Sequence, residues 1–130
     1  MRTGFLKVSE DCAAPYCKRG EHMSELLQQV SVDTKANVYF EGKVTSRIVY
    51  LEDGQKVTLG IILPGQYTFP VGDKEIVTVT AGEVSVLLPG TSAWETVATG
   101  EAFTVIANSE YQIKTEGISE YLCKYVKENG

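Results

Sequence analysis

From Asn37 onward the chain alternates with a period of two, and turn signals interrupt it too often for a long helix. Val57 to Leu63 is β-branched and largely apolar, and Gln66 to Phe69 is a shorter strand after a Pro64-Gly65 turn. Glu75 to Thr80 sets Val77 and Val79 against Thr78 and Thr80. Val84 to Leu88 follows Ala81-Gly82 and ends at Pro89-Gly90. Ala102 to Ile106, Tyr111 to Thr115 and Tyr121 to Val126 complete the series, with further breaks at Asp53-Gly54, Gly72-Asp73, Gly100 and Asn108-Ser109. In extended chain, successive side chains point to opposite faces, so alternation marks strands that bury one face. Many short strands with such punctuation predict an all-β sandwich or barrel.

At 130 residues the chain is expected to form one domain. The net charge of −5 argues against a nucleic-acid surface, which needs clustered Lys and Arg. The same acidity offers no polybasic patch for an anionic membrane, and Leu59 to Leu63 and Val84 to Leu88 are too short to span a bilayer. Charge is uneven along the chain: Arg2, Lys7, Lys18 and Arg19 face Glu10, Asp11 and Glu21 in the first 22 residues, a net +1, and the remainder is net −6. Met23 follows His22 as a fresh start, so residues 1–22 read as a cloning leader, with a native disordered extension as the alternative, and residues 23–36 as an N-terminal segment. Ser24 to Val30 within that segment has short helical character, or is disordered. Cys12 and Cys17 lie in the leader, leaving Cys123 alone in the body. A single body cysteine points to a reducing, cytoplasmic setting.

The strand region, residues 37–128, carries the spacing of a cupin, a small jelly-roll-like barrel. Cupins carry one motif ending in Glu, six residues and Gly, matched here by Glu75 and Gly82. Their second motif spaces Gly, Pro, Gly and His as Gly100, Ile106, Asn108 and Tyr111 are spaced here, with the last three replaced. The His-x-His pair of metal cupins corresponds to Tyr67-Thr68-Phe69. His22 is the single histidine in the sequence, so an imidazole metal site is excluded on composition. This register predicts an interior presenting Tyr67, Phe69, Glu75 and Tyr111, a carboxylate among rings that suit the stacking of a flat ligand. Core filler with Glu75 at the rim fits the sequence equally well.

Asn37-Val38-Tyr39-Phe40-Glu41-Gly42-Lys43-Val44, Pro64-Gly65-Gln66-Tyr67-Thr68-Phe69, Thr80-Ala81-Gly82-Glu83-Val84, Val86-Leu87-Leu88-Pro89-Gly90, Trp94, Asn108-Ser109-Glu110 and Tyr121-Leu122-Cys123-Lys124-Tyr125 occur in this order. In these blocks the chain resembles the small bacterial cupins of the pyrimidine/purine nucleoside phosphorylase family, over about 90 residues. Ile106 departs from the resemblance, standing where related chains tend to carry Pro. The resemblance implies broad-specificity phosphorolysis of purine and pyrimidine nucleosides to free base and ribose 1-phosphate. It also implies inorganic phosphate as co-substrate, no metal or other cofactor, and a cytoplasmic homodimer.

That reaction passes through an oxocarbenium-like sugar, for which a carboxylate is a suitable partner. Glu75 is the candidate for that role, with Tyr67, Phe69 and Tyr111 against the base and Thr68 and Thr78 as hydroxyl donors. Arg47, Lys43 and Lys124 are the phosphate candidates, because a cation favours phosphate. For each, a solvated surface charge is the competing reading. Trp94 reads as a lid over the barrel edge. Cys123 reads as a buried, inert thiol with no neighbouring base to activate it. Two other functions remain open from sequence: a cupin that binds a small sugar or nucleotide without turnover, and a structural β-domain that dimerises through edge strands.

Overall fold

A computed structural model describes residues 26–127. Residues 1–22, read from sequence as a leader, with Cys12, Cys17 and His22, lie outside the described residues, as do Ser24 and residue 128. Within them, no α-helix forms. Leu26 to Val30, expected to be helical, is irregular and leads into a strand. An isolated turn of helix does not offset its nucleation cost, whereas pairing with a sheet supplies partners at once.

The strands are β1 (Ser31–Val32), β2 (Asn37–Tyr39), β3 (Val44–Tyr50), β4 (Lys56–Ile62), β5 (Gly65–Val71), β6 (Lys74–Ala81), β7 (Glu83–Leu87), β8 (Glu95–Ala98), β9 (Ala102–Val105), β10 (Ser109–Thr115) and β11 (Ser119–Val126). A 3-10 turn, Phe40–Gly42, joins β2 to β3. One sheet runs β1-β3-β4-β11-β6-β9 with β2 added to β3, and the other runs β5-β10-β7-β8. All pairings are antiparallel. The two sheets close face to face as a cupin-like barrel, the all-β architecture the alternation predicts.

Alternation fixes which residues enter the core. Val77 and Val79 of β6, Val84 and Val86 of β7, Phe103 and Val105 of β9, and Tyr111 and Ile113 of β10 are buried in one cluster. Removing each such side chain from water contributes roughly 1.5–3 kcal/mol. Valine suits these positions because a β-branched side chain packs well on a pleated surface.

The larger sheet carries inward-facing rows that cross several strands. Ser46, Gly60, Tyr121 and Val79 form one row. Ile48, Thr58, Cys123, Val77 and Phe103 form the next. Tyr125, Glu75 and Val105 lie in the row beyond. Gly60 has a packing reason: a Cβ there would stand 2.3 Å from Cζ of Tyr121. The missing side chain lets the Tyr121 ring lie across β4 toward Ser46.

Candidate functional site

A cavity of about 370 Å³ lies between the two sheets. That falls within the roughly 300–1,000 Å³ of small-molecule sites. The larger sheet supplies Ser46, Glu75, Val77, Tyr121, Cys123 and Tyr125, and the smaller supplies Thr68, Phe69, Tyr111 and Ile113. Tyr39 and Phe40, at the β2–β3 connection, also line it. β11 contributes most of the polar floor for a simple reason. Tyr121, Cys123 and Tyr125 are two apart, so one strand face carries all three.

Glu75 is half-buried, and desolvation raises its pKa above the ordinary 4.5, opposed by a hydrogen bond with Cys123. Burial pushes the Cys123 thiol up to about 12, with the Glu75 charge adding to it. Tyr111, Tyr121 and Tyr125 are also raised, chiefly by burial. Their phenols therefore stay protonated at neutral pH and act as hydrogen-bond donors. The hydroxyls of Tyr125 and Thr58 lie 3.1 Å apart. The site thus joins one titratable carboxylate to several neutral donors.

The rings form a connected wall. Phe69 and Tyr111 are stacked with centroids 6.0 Å apart and an interplanar angle of 26°. Phe40 meets Phe69 edge-on at 5.3 Å, and Tyr39 meets it at 6.2 Å. Phe40 and Glu41 hold φ of 52° and 57°, left-handed values that L side chains disfavour. Strain of this kind collects at functional sites, and here it holds an aromatic ring against the cavity.

Of the residues predicted from sequence, Glu75, Phe69, Tyr111 and Thr68 come together at this cavity. Tyr67 is buried but stands behind the wall. Its ring packs 4.9 Å from that of Phe40, and its hydroxyl donates to the Leu63 carbonyl at 2.7 Å. Thr78 pairs with Leu122 and Ala102 on the outward face of the larger sheet, away from the cavity. Arg47 is on that same outward face, with its guanidinium donating to the Thr34 carbonyl. Lys124, between inward-facing Cys123 and Tyr125, also points outward, and Lys43 is exposed just after the Phe40–Gly42 turn. Trp94 sits away from the cavity, under the Lys114 ammonium at 4.0 Å. Cys123 is 3% exposed and lines the cavity floor. Tyr39, Phe40, Ser46, Tyr121 and Tyr125 are the lining residues that sequence reasoning missed. The two-residue spacing of Tyr121, Cys123 and Tyr125 along β11 was the available signal. Among the described residues, no three His, Cys, Asp or Glu side chains form a metal-holding group. No helix among them is long and apolar enough to cross a membrane.

Comparison with known proteins agrees with these features. The family described as pyrimidine/purine nucleoside phosphorylase matches residues 34–125. A pyrimidine/purine nucleoside phosphorylase of Syntrophotalea carbinolica is 45% identical over 105 residues, 81% of this chain and 100% of that protein. A structure from Acinetobacter sp. ADP1, of a protein described as having unknown function, is similar with a TM-score of 0.77 at 34% identity, covering 80% of this chain and 100% of that one. Another of unknown function, from Vibrio parahaemolyticus, has a TM-score of 0.68 at 38% identity, covering 74% of this chain and 99% of that one. The chain belongs to the pyrimidine/purine nucleoside phosphorylase family.

Proposed function

We propose that this protein is a broad-specificity nucleoside phosphorylase that converts purine and pyrimidine nucleosides to free base and ribose 1-phosphate. The observation that carries the reading is the half-buried Glu75, which faces an aromatic wall in a cavity of nucleoside scale. A phosphate oxygen forms the new bond to C1′ as the N-glycosidic bond breaks. The bonding pair leaves on the base nitrogen, which accepts a proton. Ionised Glu75 holds a ribose hydroxyl and stabilises the positive charge that builds on the sugar. Phe69 and Tyr111 bear on the flat base, and the protonated tyrosines donate to its acceptors. Aromatic contact with modest polar readout tolerates both base classes.

Phosphate is the second substrate, and the reaction uses no metal or organic cofactor. The working form is a cytoplasmic homodimer paired through edge strands, which otherwise leave backbone N–H and C=O groups unpaired. Light scattering tests this, and a monomer at micromolar concentration overturns it. Binding without turnover has one observation in its favour: among the described residues, no lysine or arginine lines the cavity. Chelator-treated protein with uridine or adenosine separates the two readings. Base release that depends on added phosphate supports the phosphorylase. Saturable nucleoside binding without release supports the binding module.

A further inference from the structure

A cation beside the carboxylate favours phosphate in a phosphorolytic site, and the candidates considered from sequence do not provide one there. Arg47 is engaged by the Thr34 carbonyl, Lys124 points away from the barrel interior, Lys43 is exposed beyond the Phe40–Gly42 turn, and Lys114 lies over Trp94, which does not line the cavity. Lys56, which begins β4, differs from these. It pairs with Tyr50 on one side, and Val57 beside it pairs with Lys124 on the other. The β4–β11 register therefore sets Lys56 opposite Tyr125, whose other neighbour is Glu75. Lys56 also shares the face of Thr58, two residues on, which contacts the Tyr125 hydroxyl. The side chain confirms the placement, since its Nζ lies 5.2 Å from the centroid of the Tyr125 ring.

We propose that Lys56 holds the phosphate co-substrate at the rim of the cavity, across the Tyr125 ring from Glu75. This rests on the phosphorylase reading. The row places an ammonium, a phenol and a carboxylate on three successive strands of one sheet. Strands are spaced about 4.8 Å apart, so the Lys56 and Glu75 backbones are separated by about 10 Å. The Tyr125 side chain rises between them, so a phosphate beside Lys56 and a ribose beside Glu75 both lie against the phenol. The arrangement also keeps the two anions, phosphate and Glu75, on opposite sides of the sugar's reacting carbon. Tyr125, protonated and between them, donates to either substrate.

The test is steady-state kinetics on Lys56→Ala, Lys56→Met and Lys56→Arg, with Lys114→Ala as a control for the loss of one surface charge. Charge-assisted hydrogen bonds are worth about 1.5–3 kcal/mol, so removing the ammonium should raise KM for phosphate by about tenfold or more. KM for uridine should stay within about twofold, Lys56→Arg should recover most of the loss, and Lys114→Ala should match the wild type. Lys56→Met keeps the apolar stem against Tyr125, so it still reports on charge if Lys56→Ala folds poorly. Inorganic phosphate binding, read by calorimetry without nucleoside, gives a second measurement. Phosphate binding that is lost in Lys56→Met supports the site even if the wild type releases no base, in which case the phosphorylase reading alone fails. An unchanged phosphate KM and unchanged phosphate affinity in Lys56→Met overturn the assignment, as does a wild type that binds no phosphate.

Discussion

β11 passes from one end of the barrel to the other, and polar side chains meet different fates at its two ends. At its start, Ser119 and Thr115 are buried and their hydroxyls lie 2.7 Å apart. Thr115 reaches the Gly117 carbonyl at 2.8 Å, and both hydroxyls reach the Glu83 carbonyl at 3.2 Å. Their hydrogen-bonding capacity is used within the protein, which ties β7, β10 and β11 together. At its finish, Tyr121, Cys123 and Tyr125 share a cavity with Glu75. There the polar groups face the cavity and burial desolvates them, so their pKa values rise. The first end spends its polar groups on stability, and the second keeps them available to a ligand. Substitutions at the two ends should therefore separate stability from turnover.

The largest effect is expected from Gly82→Ala at the first end. Gly82 has φ of +84°, and a Cβ would stand 2.5 Å from Ser119 Oγ and 2.8 Å from the Ile118 carbonyl oxygen. The left-handed backbone costs roughly 1–2 kcal/mol with a side chain and overpacking adds roughly 1–3, so a loss of about 3 kcal/mol is expected. Chemical denaturation measures it, and activity per folded molecule should stay near wild type. A neutral Gly82→Ala would mean that this corner is not rigidly packed. Thr115→Val should cost less, about 2 kcal/mol, by removing the hydroxyl that links Ser119 to the Glu83 and Gly117 carbonyls. Its kinetics should again be unaltered, whereas a changed KM for nucleoside would show that the two ends communicate.

Glu75→Gln reverses the pattern. It should lower turnover by at least about tenfold, equivalent to about 1.4 kcal/mol of transition-state stabilisation. The folded-state pKa of Glu75 is raised, so its stabilising contribution is complete below the unfolded pKa and is lost as pH rises through the folded one. At pH 7 the wild type therefore bears the burial of a charge that Gln lacks. Glu75→Gln should melt at the same temperature or higher at pH 7, with the difference vanishing near pH 4. The wild-type kcat/KM should fall on the acid side with a midpoint above 4.5 as Glu75 protonates, and the variant should lack that limb. Full activity in a folded Glu75→Gln protein removes Glu75 from the reaction.

The difference between the ends also explains what the sequence reveals. Period-two alternation identifies strands because burial of one sheet face imposes it locally. Val77 and Val79, or Phe103 and Val105, are legible without tertiary information. Glu75, Phe69 and Tyr111 line one cavity, and their spacing from Gly82 and Gly100 is a signal of barrel register that the sequence carries. Tyr67 has the same alternation as Phe69, and no local signal announces that its hydroxyl is consumed by the Leu63 carbonyl. Cations were harder. Arg47 and Lys124 lie in strands, but their side depends on parity relative to neighbours such as Ser46 and Cys123. Lys56 acquires meaning only from the β4–β11 pairing, which joins segments more than sixty residues apart in the chain. Pairing between strands distant in sequence is a tertiary property that alternation within one strand does not encode.

The smallest effect should come from Cys123, and it sharpens the account of the cavity end. The thiol is buried on the floor, and burial with the Glu75 charge holds its pKa near 12. It is therefore a neutral donor and not a nucleophile at pH 7. The Cys123 hydrogen bond favours the ionised form of Glu75, which is why it opposes the desolvation shift. Removing it in Cys123→Ala should move the acid limb of kcat/KM to higher pH, with little change on the plateau. Cys123→Ser keeps a donor at the same position and should leave the limb closer to wild type. A limb that moves to lower pH in Cys123→Ala would mean that the thiol does not assist ionisation. The carboxylate would then depend on the tyrosines and solvent alone to stay charged during the reaction.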